Sequence, residues 1–305
     1  MITKNITIVL IFVGLIYFFS QVFSGSIILP QSFSFGPLTL RYYGLFMAFG
    51  VAAGFYLAVK RADRFGLTSK EAEDILFWVI VGGFIGSRLY HVLSAWVFYY
   101  QHPFDILKVW NGGLSIYGAV FGGVVTLFVL KKILNSRLAG RQVKLEILSL
   151  LNWLTPSLII GQIIGRFGNL FNYELFGYPS NLPWKMFVPE QFRPELYLQS
   201  EYFHPLFLYE QIGLIGVFLA LQYIQKQAHS SAFGGRMSFW GLYQQSLFLW
   251  YVLLYNILRI PLEFLRIESV FIGSVRQNAL VSFILVIISA VYIFKHAGSK
   301  ERFFN

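Results

Sequence analysis

The chain alternates long apolar runs with short polar connections, and the runs are of membrane-spanning length. About 20 predominantly apolar residues in a helix cross roughly 30 Å of bilayer hydrocarbon. Eight stretches qualify, near 5–23, 41–60, 75–98, 113–133, 147–170, 206–225, 240–258 and 278–296. The pattern predicts an all-α polytopic membrane protein. Four spans carry glycines four residues apart: Gly50 and Gly54, Gly82 and Gly86, Gly118 and Gly122, Gly161 and Gly165. That spacing lets helix backbones approach closely, although membrane helices are glycine-rich in general. One connection, about 178–205, is too polar to span and too long for a turn. Its sequence "YPSNLPWKMFVPEQFRPELYLQSEYFHP" predicts a small external head or cap, the alternative being a passive surface excursion.

Composition strengthens the membrane reading. Of 305 residues 56% are hydrophobic and only 12% charged, with a mean hydropathy of +0.62, outside the range of soluble domains. The absence of cysteine excludes a disulfide framework, a thiolate nucleophile and a cysteine-based metal site. The first thirty residues have two readings. "MITKNITIVLIFVGLIYFFSQVFSGS" has one Lys, an apolar core and then small residues, as a signal peptide cut after Ser24 or Ser26 would. The core is long for a leader, which favours an uncleaved anchor. The chain then divides into this segment (1–30), a membrane-embedded core (31–298, with the head at 178–205) and a cytoplasmic tail (299–305).

The net charge of +10 does not indicate a nucleic-acid partner, because no basic stripe interleaves with exposed aromatics on a soluble module. The basic residues instead cluster in alternate connections, at 60–70, at 131–144, at Lys226 and Arg236, and at Lys295, Lys300 and Arg302. Lys4 joins them if the first stretch spans, and the positive-inside rule names their side the cytoplasm.

Ionisable residues inside spans are expensive and are functional candidates by default. Here they gather toward the outer ends: Arg88, Arg166, Glu210, and Arg259 with Glu263 and Arg266. Arg166, Asn169, Tyr173 and Gly177 share a face if their helix continues, and Arg259 and Glu263 are four apart. One reading is internal salt bridging, Arg166 to Glu174 and Arg259 to Glu263. The other is that several arginines with few carboxylates leave positive charge for an anionic ligand. Arginine's planar fork matches phosphate, so a phospholipid follows from charge and depth.

Seven motifs in order resemble the prolipoprotein diacylglyceryl transferases of bacteria: "FSFGPLTLRYYGL", "GSRLYHV", "HPFDILKVWNGGLSIYG", "GRFGNLFNYELFG", "PWKMFVP", "HPLFLYE" and "RIPLEFLR". The likeness runs from about residue 31 to 298. It implies a seven-helix core with an external head, and in this chain one extra N-terminal hydrophobic segment. It implies transfer of the sn-1,2-diacylglyceryl group from phosphatidylglycerol to the lipobox cysteine of a prolipoprotein, with release of glycerol phosphate. No cofactor or metal is implied. The expected setting is the bacterial inner membrane, with a monomeric enzyme whose active site faces the outer leaflet.

The resemblance also implies roles. Arg166 and Asn169 match the residues that hold the lipid headgroup, and Glu174 and Gly177 match the signature's other fixed positions. Arg259 matches a second phosphate-facing arginine, with Glu263 beside it; Arg88 and Gly118 are further substrate-binding candidates. Tyr43 matches an essential tyrosine, and His204 and Glu210 match "HP…LYE". Many members carry His where this chain has Tyr117, and Tyr where it has His91. His91 is therefore the candidate general base, with Tyr117 hydrogen-bonding in its place; the alternative is that His91 only packs or bonds a headgroup. Two rival classes remain. A transporter or channel would spread charges through the bilayer depth, whereas mid-span positions here are mostly apolar. A phosphatase-like headgroup enzyme would need an acidic cluster or a His pair, and the sequence shows neither.

Overall fold

The computed structural model describes residues 2–36, 38–137, 146–232 and 246–297. In chain order they form α1 (Ile2–Phe23), β1 (Ser32–Phe35), β2 (Leu38–Arg41), α2 (Tyr42–Lys60), α3 (Ser69–Ser94), α4 (Trp96–Gln101) and α5 (Ile116–Arg137). There follow α6 (Ile147–Asn172), β3 (Met186–Phe187), β4 (Tyr202–Phe203), α7 (Leu206–Ala232), α8 (Leu247–Leu265), β5 (Phe271–Ile272), β6 (Val275–Arg276) and α9 (Gln277–Ala297). Among the described residues seven helices, α2, α3 and α5–α9, are long and apolar enough to cross a membrane, and α1 adds the shorter apolar stretch Val13–Phe23. This is the all-α polytopic architecture expected. The 299–305 tail and the first residues of the 240–258 stretch lie outside the described residues.

Two helix limits lie beyond the hydropathy pattern and one motif opens on a hairpin, each for a local reason. Helix α3 starts at Ser69 because Thr68 caps it: the Thr68 side chain accepts from Glu71 N, and Thr68 N donates to Glu71 Oε2 at 2.8 Å, a capping box. The first motif does not open on a helix. Gly36, at φ +60°, sits at the turn of the β1–β2 hairpin, and the helix begins only at Tyr42. Helix α8 runs on through Pro261 to Leu265, so Arg259 and Glu263 stand within it. A proline in a membrane helix is tolerated when neighbouring groups serve the freed carbonyl.

The chain forms two compact units, Met1–Ala53 with Leu158–Asn305, and Gly54–Ser157. In Gly54–Ser157, α3 and α5 cross at the two glycine pairs read from the sequence. A Cβ at Gly86 would stand 2.5 Å from Gly118 O and 2.8 Å from Gly122 Cα, so only glycine permits this approach. Around it Ile75, Leu76, Leu127, Leu150 and Trp153 pack as one core, and Trp153 Nε1 donates to Ala58 O at 2.8 Å. Gly86→Ala is expected to cost about 1–3 kcal/mol by overpacking, read as a lower melting temperature in detergent. Gly216→Ala, where a Cβ meets nothing within 4 Å, should be neutral and serves as control.

The first unit joins the start of α2 to the second half of α6. A Cβ at Gly50 would lie 2.7 Å from Gly161 O, and Tyr42 stacks on Phe171 with ring centroids 4.9 Å apart. Ile159, Leu214, Leu221, Leu247 and Tyr251 form a second core. The head is ordered around a third: Met186, Val188 and Phe203 are fully buried with Leu170, Tyr173 and Phe207. Antiparallel β3 and β4 pair Met186 with Phe203 and Phe187 with Tyr202. This core is shared with α1, α6 and α7 through Val22, Leu170 and Phe207.

Candidate functional site

Three helices of the first unit bring their charged residues to one place. Glu210, in the second turn of α7, is 1% exposed, and its carboxylate accepts three donors from two other helices. Arg166 Nη2 of α6 pairs with Oε1, Tyr255 Oη of α8 donates to Oε1 at 2.7 Å, and Arg259 Nη1 of α8 donates to Oε2 at 2.9 Å. A carboxylate so buried is stable only when paired, and here one carboxylate serves two guanidiniums. Arg259 also lies 3.8 Å from Glu263 Oε2. Glu263 Oε1 accepts in turn from Ser269 Oγ at 3.0 Å and Asn278 Nδ2 at 3.2 Å.

The intrahelical pairing of Arg259 with Glu263 is therefore present, but Arg166 does not pair with Glu174. Glu174 accepts from Asn172 Nδ2 at 3.1 Å, because α6 ends at Asn172 and the chain turns away at Tyr173 and Leu175, both at positive φ. Arg166 Nη1 reaches Asn169 Oδ1 at 3.3 Å, one turn along the same face as the spacing predicts. Arg166 Nε is buried without a hydrogen-bond partner. The cluster thus keeps an unfilled donor beside two cations.

The signature's glycines answer to packing. Gly168 lies against Tyr43, whose Cδ2 would be 2.9 Å from an added Cβ; this contact seats the tyrosine beside the signature helix. Gly177 pairs with Arg266 and donates its N–H to His204 O at 2.9 Å. A Cβ there would stand 2.6 Å from Leu265 O, so glycine lets the head's first strand-like stretch close against the end of α8.

His204 belongs to the head. Trp184 Nε1 donates to Tyr209 Oη at 2.8 Å, and that hydroxyl lies 3.1 Å from His204 Nδ1. Burial pushes the His204 imidazole below its ordinary 6.5. A lowered folded value means the unfolded chain binds the proton first, so stability falls as pH drops below about 6.5. Melting curves between about pH 5 and 7.5 should show this loss, and His204→Gln should remove it.

The remaining predicted residues lie in Gly54–Ser157 and are described there. Arg88 of α3 is taken up by backbone carbonyls: Nε donates to Ile106 O at 2.8 Å, Nη1 to Gly112 O at 2.7 Å and Gly113 O at 2.9 Å, and Nη2 to Asp105 O at 2.5 Å. Its guanidinium also sits 5.3 Å from the Tyr99 ring centroid. Arg88 therefore organises the 105–113 connection. His91, one turn on, packs edge-on to Tyr99 at 5.9 Å, and a Cβ at Gly113 would be 2.7 Å from its Nε2. Tyr117 lies 6.1 Å from the Tyr90 ring, and Gly118 is one of the crossing glycines of α5.

Sequence reasoning missed Tyr251 and Tyr255. They stack at 5.7 Å and, with Gln162 accepting from Tyr251 Oη at 3.0 Å, continue the polar cluster along the bundle. Their signal was present: Tyr251, Tyr255, Arg259 and Glu263 recur every fourth residue on one face of α8.

Among the described residues, seven helices long and apolar enough to cross a membrane define a polytopic membrane protein, and its first unit holds two arginines on one buried carboxylate. Residues 30–295 match the prolipoprotein diacylglyceryl transferase family, and the chain belongs to that family. It is 38% identical over 280 residues to the phosphatidylglycerol–prolipoprotein diacylglyceryl transferase of Thermotoga maritima, covering 92% of this chain and 89% of that one. The enzyme of the same name from Fervidobacterium nodosum is 33% identical over 294 residues, 95% of this chain and 94% of that one. That of Synechococcus elongatus is 36% identical over 257 residues, 84% and 83%. The Fervidobacterium match leaves only 5% of this chain uncovered, fewer residues than precede residue 30, so it reaches back into the N-terminal segment.

Proposed function

We propose that this chain transfers the sn-1,2-diacylglyceryl group from phosphatidylglycerol to the lipobox cysteine thiol of a prolipoprotein. The observation that carries the reading is the convergence of Arg166 and Arg259 on the single carboxylate of Glu210, with Arg166 Nε unpartnered. Both side chains stay partly exposed, at 21% and 18%, and a lipid phosphate fits the guanidinium forks. In the reaction the thiolate sulfur attacks the glycerol carbon bearing the phosphate. The C–S bond forms as the C–O bond breaks, and the phosphate departs as glycerol phosphate with its charge held by Arg166 and Arg259. Asn169 and Glu174 border the headgroup, and Tyr43 orients it from α2. Glu263 fixes Arg259.

The thiol proton needs an acceptor. Glu210 is unsuited, because both its carboxylate oxygens are already taken up by Arg166, Arg259 and Tyr255. We assign the proton to His91 with Tyr117 in support, on the chemical ground that an imidazole is the commonest general base. His91→Ala is expected to lower kcat by about 10²-fold; full activity in this variant would place the proton elsewhere. The uneven distribution of basic connections supports an inner-membrane enzyme with this centre toward the outer leaflet, and we take it to act as a monomer without nucleic-acid partners. The deciding experiment incubates the purified protein with phosphatidylglycerol vesicles and a lipobox peptide and detects the thioether by mass. Lipid binding without thioether would reduce the reading to a headgroup-binding membrane protein.

A further inference from the structure

The family match begins at residue 30, yet the residues just before it are built into the head. Val22 and Leu29 are 3% and 6% exposed, in the same core as Met186, Val188, Phe203 and Tyr173. Phe23 packs edge-on to Phe207 at 6.4 Å. Gly25, at φ +82°, lies under the Phe187 ring, whose Cγ would be 2.6 Å from an added Cβ. Tyr202 Oη donates to Ser24 O at 3.2 Å, and Ile27 N donates back to Gln21 O at 3.1 Å. The small residues that read as a leader's cleavage site are thus folded into a helix-ending turn beneath the head. A peptidase needs extended backbone, and this stretch is instead held in a hydrogen-bonded turn, with Ser24 N donating to Ser20 O at 2.9 Å and Gly25 N to Val22 O at 3.2 Å.

The segment also reaches the signature. Leu29 N donates to Tyr173 Oη at 2.7 Å, and Gln31 Nε2 donates to Asn172 O at 3.3 Å. Tyr173 is the residue that ends α6, and its φ of 52° is one that non-glycine residues hold only when their surroundings impose it. The same ring stacks on Phe192 of the head at 5.0 Å, and the turn closes with Glu174 N donating to Asn169 O at 3.0 Å. Tyr173 is clamped between the head and the N-terminal segment, one turn from Asn169.

We infer that residues 19–31 are retained in the working protein as a brace for the head, and that Tyr173 is a positioning residue through which the brace holds the end of α6 and so Asn169. Retention stands independently of the catalytic reading; the positioning role rests on it. Two measurements test the pair. The N-terminal sequence and intact mass of the membrane-purified chain should show residues 19–31 present; a chain beginning at Gly25 or Ile27 overturns retention. For positioning, Tyr173→Phe removes the acceptor and Leu29→Pro removes the donor. Each should raise KM for phosphatidylglycerol about fivefold while kcat per folded molecule stays within about twofold, and the double variant should be no worse than either single one, as for one shared contact. A fall in melting temperature with unchanged KM, or additive KM effects, overturns the positioning role. Wild type that yields no thioether refutes the transferase reading, and the mass still decides retention.

Discussion

Replacing Arg166 by alanine is expected to lower kcat/KM for phosphatidylglycerol by about 10²–10³, the loss that follows removal of one preorganised donor to a developing oxyanion. The expectation rests on geometry. Arg166 pairs with buried Glu210 and contacts Asn169 at 3.3 Å while its side chain stays 21% exposed, so it is held in place yet open to a ligand. Arg166→Lys separates charge from shape: it keeps the cation but loses the planar fork, and should recover only part of the activity. Thioether formation at several lipid concentrations is the measurement. An alanine variant within a factor of three of wild type would remove Arg166 from the headgroup clamp.

The second large effect is expected at Glu210. Alanine there leaves two guanidiniums, with side chains 21% and 18% exposed, without their shared counter-ion. Breaking one partner out of a buried charge pair costs about 3–5 kcal/mol. Glu210→Ala should therefore lower the melting temperature in detergent and abolish turnover together. Glu210→Gln keeps the shape and one acceptor oxygen, so it should fold better than alanine yet still leave the two cations short of negative charge. An alanine variant that melts like wild type would show that the arginines find another anion in the resting protein.

Both predictions depend on a pairing that local sequence does not reveal. The spans were legible because hydrocarbon admits only apolar residues over a length set by bilayer thickness. The glycine pairs at 82 and 86 and at 118 and 122 were legible because close backbone approach tolerates little else. The partner of Arg166 was not: the near carboxylate is Glu174, eight residues on, whereas the actual one lies 44 residues away. A helix that ends at Asn172 and turns at positive φ removes Glu174 from the face it would share with Arg166. Arg88 read as a ligand for phosphate because a charge within a span asks for a partner, and its partners are carbonyls of a loop that has no sequence signature for accepting. The brace at residues 19–31 was invisible for a similar reason, since the same apolar core followed by small residues describes an anchor and a leader alike.

The sequence by itself determined the class, the approximate limits of seven spanning helices and the family of the chain. These follow from transfer energies and from side-chain types at fixed spacing, which are local properties. The tertiary structure alone decided which groups meet: Glu210 between Arg166, Arg259 and Tyr255, Arg88 within its ring of carbonyls, and Leu29 against Tyr173. Those contacts join residues far apart in the chain, and they are chosen by which buried polar group is left without a partner once the apolar faces have packed.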